Sequence, residues 1–399
     1  MQKNWKLYII GEKINNFKKV SLTLAMALSF TACVNDNQEA KPEDTQAEMP
    51  AGDPKTDTSA ENVNDKDPQT VEEETGKEAK DNEDADNEVK TTGKIEDEPH
   101  YGKPIKVVYN GGLCTGAPGI ADVRGEFEKR GLEVEFINVK SDVDSIGTHT
   151  ADATIGHIAK FVPPTINGVN AVFASGAHTG CKSLYVLDND EINDTEGLKN
   201  KIIGFPGAIG SADHNIAIRF LNNDGIDVDD VKYRQVDNAA IIQALESGEL
   251  AGAILSDEYA SQFIENGTIK RIRSLSFDED FKNEACCINA LNGDFVKENP
   301  QMAKFYNEAV LETQKWMENN VEEAAQILFD NNWADGDFET AVEMMESYNW
   351  AVSLEDTEKT LETVIEDYRN LGIINSEVSK DDFISKYWNS LGLKDSDIK

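Results

Sequence analysis

The side chains with the widest chemical reach in this 399-residue chain are its five cysteines and five histidines. Cys114, Cys181, Cys286 and Cys287, with His157 and His178, fall in loops or chain crossovers at the ends of apolar, strand-like runs. Thiolates and imidazoles converging in one place would select a soft metal, a metal complex or a thiol-reactive ligand. The candidates for such a set are Cys114, Cys181, Cys286, Cys287 and His178. Their spacing matches no zinc module: there is no Cys-x-x-Cys pair, and Cys286 and Cys287 are adjacent. Two other readings stay open. The cysteines could form one or two disulfides, with three possible pairings, or act as small buried apolar side chains. Ser211, Asp213 and His214 crowd one turn. No Gly-x-Ser-x-Gly elbow surrounds the serine, and one helical turn cannot form a triad, so no catalytic residue is assigned.

The elements that must position these residues begin at Tyr101. From there apolar, β-rich runs alternate with amphipathic stretches, the pattern of an α/β fold with a mainly parallel sheet. Strands are expected at 105–109, 132–139, 153–156, 170–175, 184–187, 201–205, 231–236 and 250–255. Helices are expected at 119–130, closed by Gly131, at 158–166 around Pro163-Pro164, through 215–221, and at 238–247. Beyond Asn299-Pro300 the chain reads as helical over 301–317, 321–329, 338–350, 358–371 and 380–391, with Pro300 in the first helical position and Asn299 as cap. Trp316, Trp333, Tyr348, Trp350, Tyr368, Tyr387 and Trp388 recur at helical spacing and read as core.

Charge divides the chain further. Acidic residues number 75 against 38 basic ones, a net of -37, which excludes nucleic-acid binding driven by counterion release. Residues 1–33 carry a net +4, residues 34–100 a net -15 and the remainder -26. The basic start leads into an apolar run from Val20 to Phe30, too short to span a membrane and of signal-peptide length. It ends at Phe30-Thr31-Ala32-Cys33, which resembles the lipobox of bacterial lipoproteins, with Phe30 and Thr31 departing from its usual residues. That resemblance implies a signal peptide over 1–32 and lipidation at Cys33, the lipid being the only added group expected; an ordinary secretory signal is the alternative. Residues 34–100 contain no Phe, Tyr, Trp or Leu. Residues 33–100 therefore read as a disordered acidic tether, with a coil reach on the order of 45 Å.

Three stretches carry a wider resemblance: residues 107–139 from Val107-Val108-Tyr109, residues 194–226 around Leu198-Lys199-Asn200-Lys201-Ile202-Ile203-Gly204, and residues 239–261 around Ala239-Ala240-Ile241-Ile242. Together they resemble the extracytoplasmic solute-binding proteins of ABC importers of the nitrate, sulfonate and taurine type, which include binders of thiamine-pyrimidine precursors. The resemblance covers about residues 104–320. It implies a two-lobed, type II periplasmic-binding-protein-like fold. Lobe 1 would comprise residues 101–185 and 286–399 and lobe 2 residues 186–285, with crossovers near Lys182–Val186 and Cys286–Leu291 and the C-terminal helices packing on lobe 1. It implies as partners a small-molecule ligand, a permease with its ATPase, and a membrane reached through the lipid, with no reaction catalysed. The location would be the outer face of a bacterial membrane, the long tether leaning toward a Gram-positive cell. A pyrimidine-synthase-like enzyme shares the fold, but an export signal argues against it; a sensory lipoprotein is a further alternative.

In open α/β sheets, ligands sit beyond the carboxyl ends of the strands. That rule selects Asn110, Cys114, Thr115, His157, His178, Ser211, Asp213, Asp257 and Glu258 as ligand-binding residues. The loop from Gly207 to Asp213 feeds a helix, so its free N–H groups favour an anion, although Ser211 could simply cap that helix. Asp213 beside it counts against a bare sulfonate or nitrate.

Overall fold

The computed structural model describes residues 93–189 and 191–398. The expected signal peptide, Cys33 and the tether up to residue 92 lie outside the described residues. Lobe 1 is built from β1 (Ile105–Val108), α1 (Ala117–Val123), β2 (Val134–Ile137), α2 (Asp142–Gly147), β3 (Ala153–His157), α3 (Ile158–Ile166) and β4 (Ala171–Thr179). Lobe 2 follows as β5 (Lys182–Leu187), β6 (Ile202–Phe205), α4 (Ala212–Asn223), β7 (Lys232–Gln235), α5 (Asn238–Glu246), β8 (Gly252–Ser256), α6 (Asp257–Glu265) and β9 (Ile269–Ser274). The chain then returns as β10 (Ala285–Asn292), α7 (Gly293–Glu298), α8 (Pro300–Met317), α9 (Val321–Asp330), α10 (Phe338–Glu346), α11 (Leu354–Asn370) and α12 (Lys380–Tyr387).

Each lobe holds one five-stranded sheet, with orders β2-β1-β3-β10-β4 and β7-β6-β8-β5-β9. The two windings are equivalent. In each sheet three parallel strands from one βα series are joined by an antiparallel strand that borders a crossover: β10 in lobe 1 and β5 in lobe 2. These inserted strands (KSLYVL and ACCINALN) are almost wholly buried, as strands covered on both faces must be.

Both crossovers lie elsewhere than the sequence suggested. Lys182–Val186 belongs to β5, inside the lobe 2 sheet, and Cys286–Leu291 belongs to β10, inside that of lobe 1. The chain changes lobe at Gly180-Cys181 and again over residues 275–284, so lobe 2 spans about 182–284. Gly180 and Cys181 both have left-handed backbones, with φ of 83° and 87°. A Cβ on Gly180 would come within 2.6 Å of Ser276 Oγ, on the other crossover, so the two segments pass in contact. Only glycine meets both demands.

The C-terminal helices cover lobe 1: α8 lies on β4 and α1, and α11 on β4, β10 and α3. One part of that expectation needs correction, because α10 also packs against α6 of lobe 2. The expected tether boundary at residue 100 is also too late. Glu98 accepts from the N–H groups of Gln301 and Met302 at 2.5 and 2.9 Å, and His100 N–H donates to Asn299 Oδ1. Asn299 therefore occupies the cap position of α8 without its side chain capping the helix; Glu98 supplies that acceptor from outside. The helix expected over 119–130 breaks into α1 and a single 3₁₀ turn at Glu128–Arg130.

Candidate functional site

The register of β10 builds the site. Cys287 lies opposite His157 on β3 and opposite His178 on β4, so one row across three strands reads imidazole, thiol, imidazole. The β4 pairing slips on both sides of Cys287. Adjacent strand residues would otherwise face opposite sides of the sheet, and the bulge lets Cys286 join the same cluster. Cys181 arrives from the first crossover and Cys114 from the loop after β1. The result is two overlapping tetrads. The donor atoms of Cys114, His178, Cys181 and Cys287 all lie within 4.8 Å of one another, as do those of His157, Cys181, Cys286 and Cys287.

All four cysteines are free thiols. Cys181 Sγ is 3.3 Å from Cys286 Sγ, and Cys286 Sγ is 3.2 Å from His157 Nδ1. Burial pushes the Cys181 and Cys286 thiols well up. Hydrogen bonds with Cys181 and Cys287 hold the Cys114 thiol well below its usual range. Burial, reinforced by Lys182, brings His157 down to about 3, so its ring is neutral. His178 is fully buried between Tyr348 and Trp350, with centroids 5.0 and 5.2 Å away. Its Nδ1–H donates to Thr179 O at 3.0 Å, while Nε2 is buried with no hydrogen-bond partner.

A polar relay fixes Cys181 in its left-handed backbone. Cys181 N–H donates to Ser276 Oγ at 3.0 Å, and Ser276 donates in turn to Asp257 Oδ2 at 2.6 Å. Tyr185 OH donates to Asp257 Oδ1 at 2.5 Å. Asp257 was expected to meet ligand. It is 1% exposed with both oxygens engaged, so it acts as the buried support of the crossover.

The remaining expected ligand residues divide. Asn110 exchanges two hydrogen bonds with the Val139 backbone, at 2.8 and 3.0 Å, and so fastens the β1 loop to the end of β2. Its side-chain amide is occupied there. Thr115 lies with Asn110, Lys140, Gly156, His157 and Lys160 around a cleft of about 210 Å³ at the carboxyl ends of β1 and β3. Ser211 begins α4 but does not cap it: its Oγ is buried without a partner. Asp213 forms a 2.6 Å ion pair with Lys182, whose ammonium is held up by that carboxylate against the effect of its own burial. Glu258, in the first turn of α6, faces an acidic cleft of about 710 Å³ shared with Asp335, Asp337 and Glu339. Burial, then the nearby Cys114 and Asp335 charges, push its carboxyl up to about 7.

Sequence reasoning missed the pairing that crosses between lobes. Arg219 of α4 meets Glu284, just before β10, through two contacts of 2.9 and 3.2 Å. It also meets Asp367 of α11 at 2.7 and 2.8 Å. An arginine inside the apolar run Ile216-Ala217-Ile218-Arg219-Phe220 was the available signal. Nearby, Asn215 Nδ2 donates to Ala159 O of α3 at 2.9 Å, a second tie between the lobes.

Residues 162–329 match the model of the NMT1-like family. No curated protein sequence matches the chain. Among solved structures, the periplasmic aliphatic sulphonate binding protein SsuA from Escherichia coli superposes with a TM-score of 0.59 at 15% identity, over 72% of this chain and 98% of that one. The periplasmic nitrate-binding protein NrtA from Synechocystis PCC 6803 gives 0.59 at 15% identity, over 72% and 86%. The desulfurization enzyme DSZB gives 0.53 at 13%, over 72% and 97%, so the fold houses an enzyme as well as binding proteins. The chain thus has the two-lobed periplasmic-binding-protein fold, is similar to the SsuA and NrtA type of solute-binding protein, and matches the NMT1-like family over residues 162–329.

Proposed function

We propose that this protein is the solute-binding subunit of an ABC importer, held at the outer face of the membrane through lipid on Cys33. It captures a small organic anion, sulfonate-like or pyrimidine-like, between its lobes and catalyses no reaction. The observation that carries the reading is the pair of equivalently wound lobes joined by two crossovers in mutual contact at Gly180 and Ser276. Such a joint lets two rigid bodies close on a ligand, desolvating it as they meet. Sulfonate and nitrate are bound by the similarly folded SsuA and NrtA. Asp213, which argued against an anion, is neutralised by Lys182, and the buried Ser211 hydroxyl beside it is unpartnered. Among the described residues, no helix is long and apolar enough to cross a membrane.

The test is thermal unfolding of the full chain against alkanesulfonates, nitrate, pyrimidines and amino acids. A ligand at 100 times its Kd adds about 2.7 kcal/mol of stability, a shift of several degrees. A panel without a single shift would sink the reading.

A further inference from the structure

The six soft side chains go beyond any organic solute. We propose that Cys114, His178, Cys181, Cys287, His157 and Cys286 form a dinuclear site for divalent soft metal, Zn²⁺ being the natural occupant. Cys181 and Cys287 bridge the two ions. One ion is completed by Cys114 and His178, and the other by His157 and Cys286.

Three observations carry it. First, both tetrads are already drawn within 4.8 Å, and Cys181 and Cys287 belong to both. A tetrahedron with metal–sulfur bonds of ~2.3 Å has edges of roughly 3.8 Å, so each set needs only small shifts, Cys181 and Cys286 opening slightly from 3.3 Å and wider pairs closing. Second, His178 presents the form a ligand needs. Its Nδ1–H is held by the Thr179 carbonyl, which leaves the Nε2 lone pair free, buried and without a partner. Third, the charge balances. Four thiolates and two neutral imidazoles around two divalent ions sum to zero, which suits a site where Cys181, Cys287 and His178 are almost inaccessible to water. Binding breaks four S–H bonds and releases four protons to solvent while four thiolates coordinate, with no change of oxidation state. All eight coordination positions are filled by protein, the pattern of a closed structural centre.

The location gives the site a purpose. Cys181 sits on the first crossover, Cys286 and Cys287 begin β10 directly after the second, and Cys114, His157 and His178 belong to lobe 1. The metal pair would staple the first crossover to lobe 1 and to the start of the strand that follows the second, and so set the axis about which lobe 2 turns. It would be resident in the joint and separate from transported solute.

The experiment uses the full chain purified anaerobically with reductant, stripped with chelator, loaded with Zn²⁺ and dialysed against a weak chelator before metal analysis. Two ions per chain are expected, falling to none in C181S or C287S and to one in either C114S or C286S. Retained melting transitions show that the last two variants fold. A second readout needs no variant. Cys114 is the partly exposed thiol of the four, and its alkylation should slow at least tenfold on zinc loading. Co²⁺ in place of Zn²⁺ should give thiolate-to-metal absorption. One ion or fewer in the wild-type protein, two ions retained in both C114S and C286S, or alkylation of Cys114 indifferent to zinc overturns the proposal. Solute binding is read separately on the same preparations, so failure of the metal site leaves the importer reading standing.

Discussion

The contact between Arg219 and Asp367 should act as a latch that holds the lobes closed, and Asp367→Asn tests it. Arg219 is 7% exposed and donates to Asp367 Oδ2 from both Nε and a terminal nitrogen, at 2.8 and 2.7 Å. The substitution keeps the shape and removes the charge. It leaves the two contacts to Glu284 in place, so the buried guanidinium is not orphaned as it would be by removing every partner. Hydrogen bonds to charged groups contribute ~1.5–3 kcal/mol. The Asp367 side chain is 32% exposed, and water screening reduces this to about 1–2 kcal/mol. Because α4 belongs to lobe 2 and α11 packs on lobe 1, that energy belongs to the closed form. The open population should rise about 5- to 30-fold, and apparent solute affinity should fall by the fraction of molecules no longer closed. Small-angle scattering should show a larger radius of gyration. Amide exchange should accelerate along the facing surfaces of α3 and α4, with the urea midpoint only slightly lower. Unchanged scattering, together with a loss of global stability equal to that of Arg219→Met, would show the pair to be ordinary fold stabilisation and refute the latch.

Four further outcomes are expected. Glu258→Gln should stabilise the metal-free protein by roughly 1–3 kcal/mol at pH 8 and not at all at pH 4. The folded carboxyl is raised from 4.5 to about 7, so the wild type loses stability as pH climbs through that window, and urea unfolding at both pH values checks the sign. Gly180→Ala should lower stability by about 1–3 kcal/mol, since the left-handed backbone and the Ser276 contact both penalise a Cβ; an unchanged melting temperature would mean the crossovers readily part. Glu98→Ala should remove the borrowed cap of α8 at a loss of ~0.5–2 kcal/mol, measured by denaturant unfolding. Trp350→Phe removes the indole N–H donated to Met345 O at 2.9 Å and should destabilise by ~1–3 kcal/mol in the same assay.

Much of the architecture was legible because it is local. The alternation in Ile105-Lys106-Val107-Val108 marks β1, and Ile158–Ile166 bounds α3 as expected. What escaped depends on partners distant in sequence. The octet from Ala285 to Asn292 is mostly apolar, broken by Asn289 and Asn292, and such a run does not say which sheet receives it; only insertion between β3 and β4 reveals it as a central strand rather than a bridge. The same insertion turns four scattered cysteines into neighbours, so the cluster could be suspected from its residue types but not assembled. Asp257 is a different kind of miss. Ser256 followed by Asp257-Glu258 is a helix-start signature, and Ser256 does accept from Tyr259 N–H to cap α6. The partners that hold Asp257 are distant in sequence: Tyr185 comes from β5 and Ser276 from the second crossover.

The placement of Trp350 against His178 gives the molecule an optical consequence. The indole is 1% exposed, so its emission should be blue-shifted. It is also the one tryptophan among the described residues whose ring contact is with an imidazole of the cysteine cluster. A nearby ring that gains a proton or an ion alters the excited-state decay of an indole. Trp350 is therefore a built-in fluorophore for the joint, and the occupancy of that joint could be followed by emission lifetime without attaching a dye to any of the four thiols.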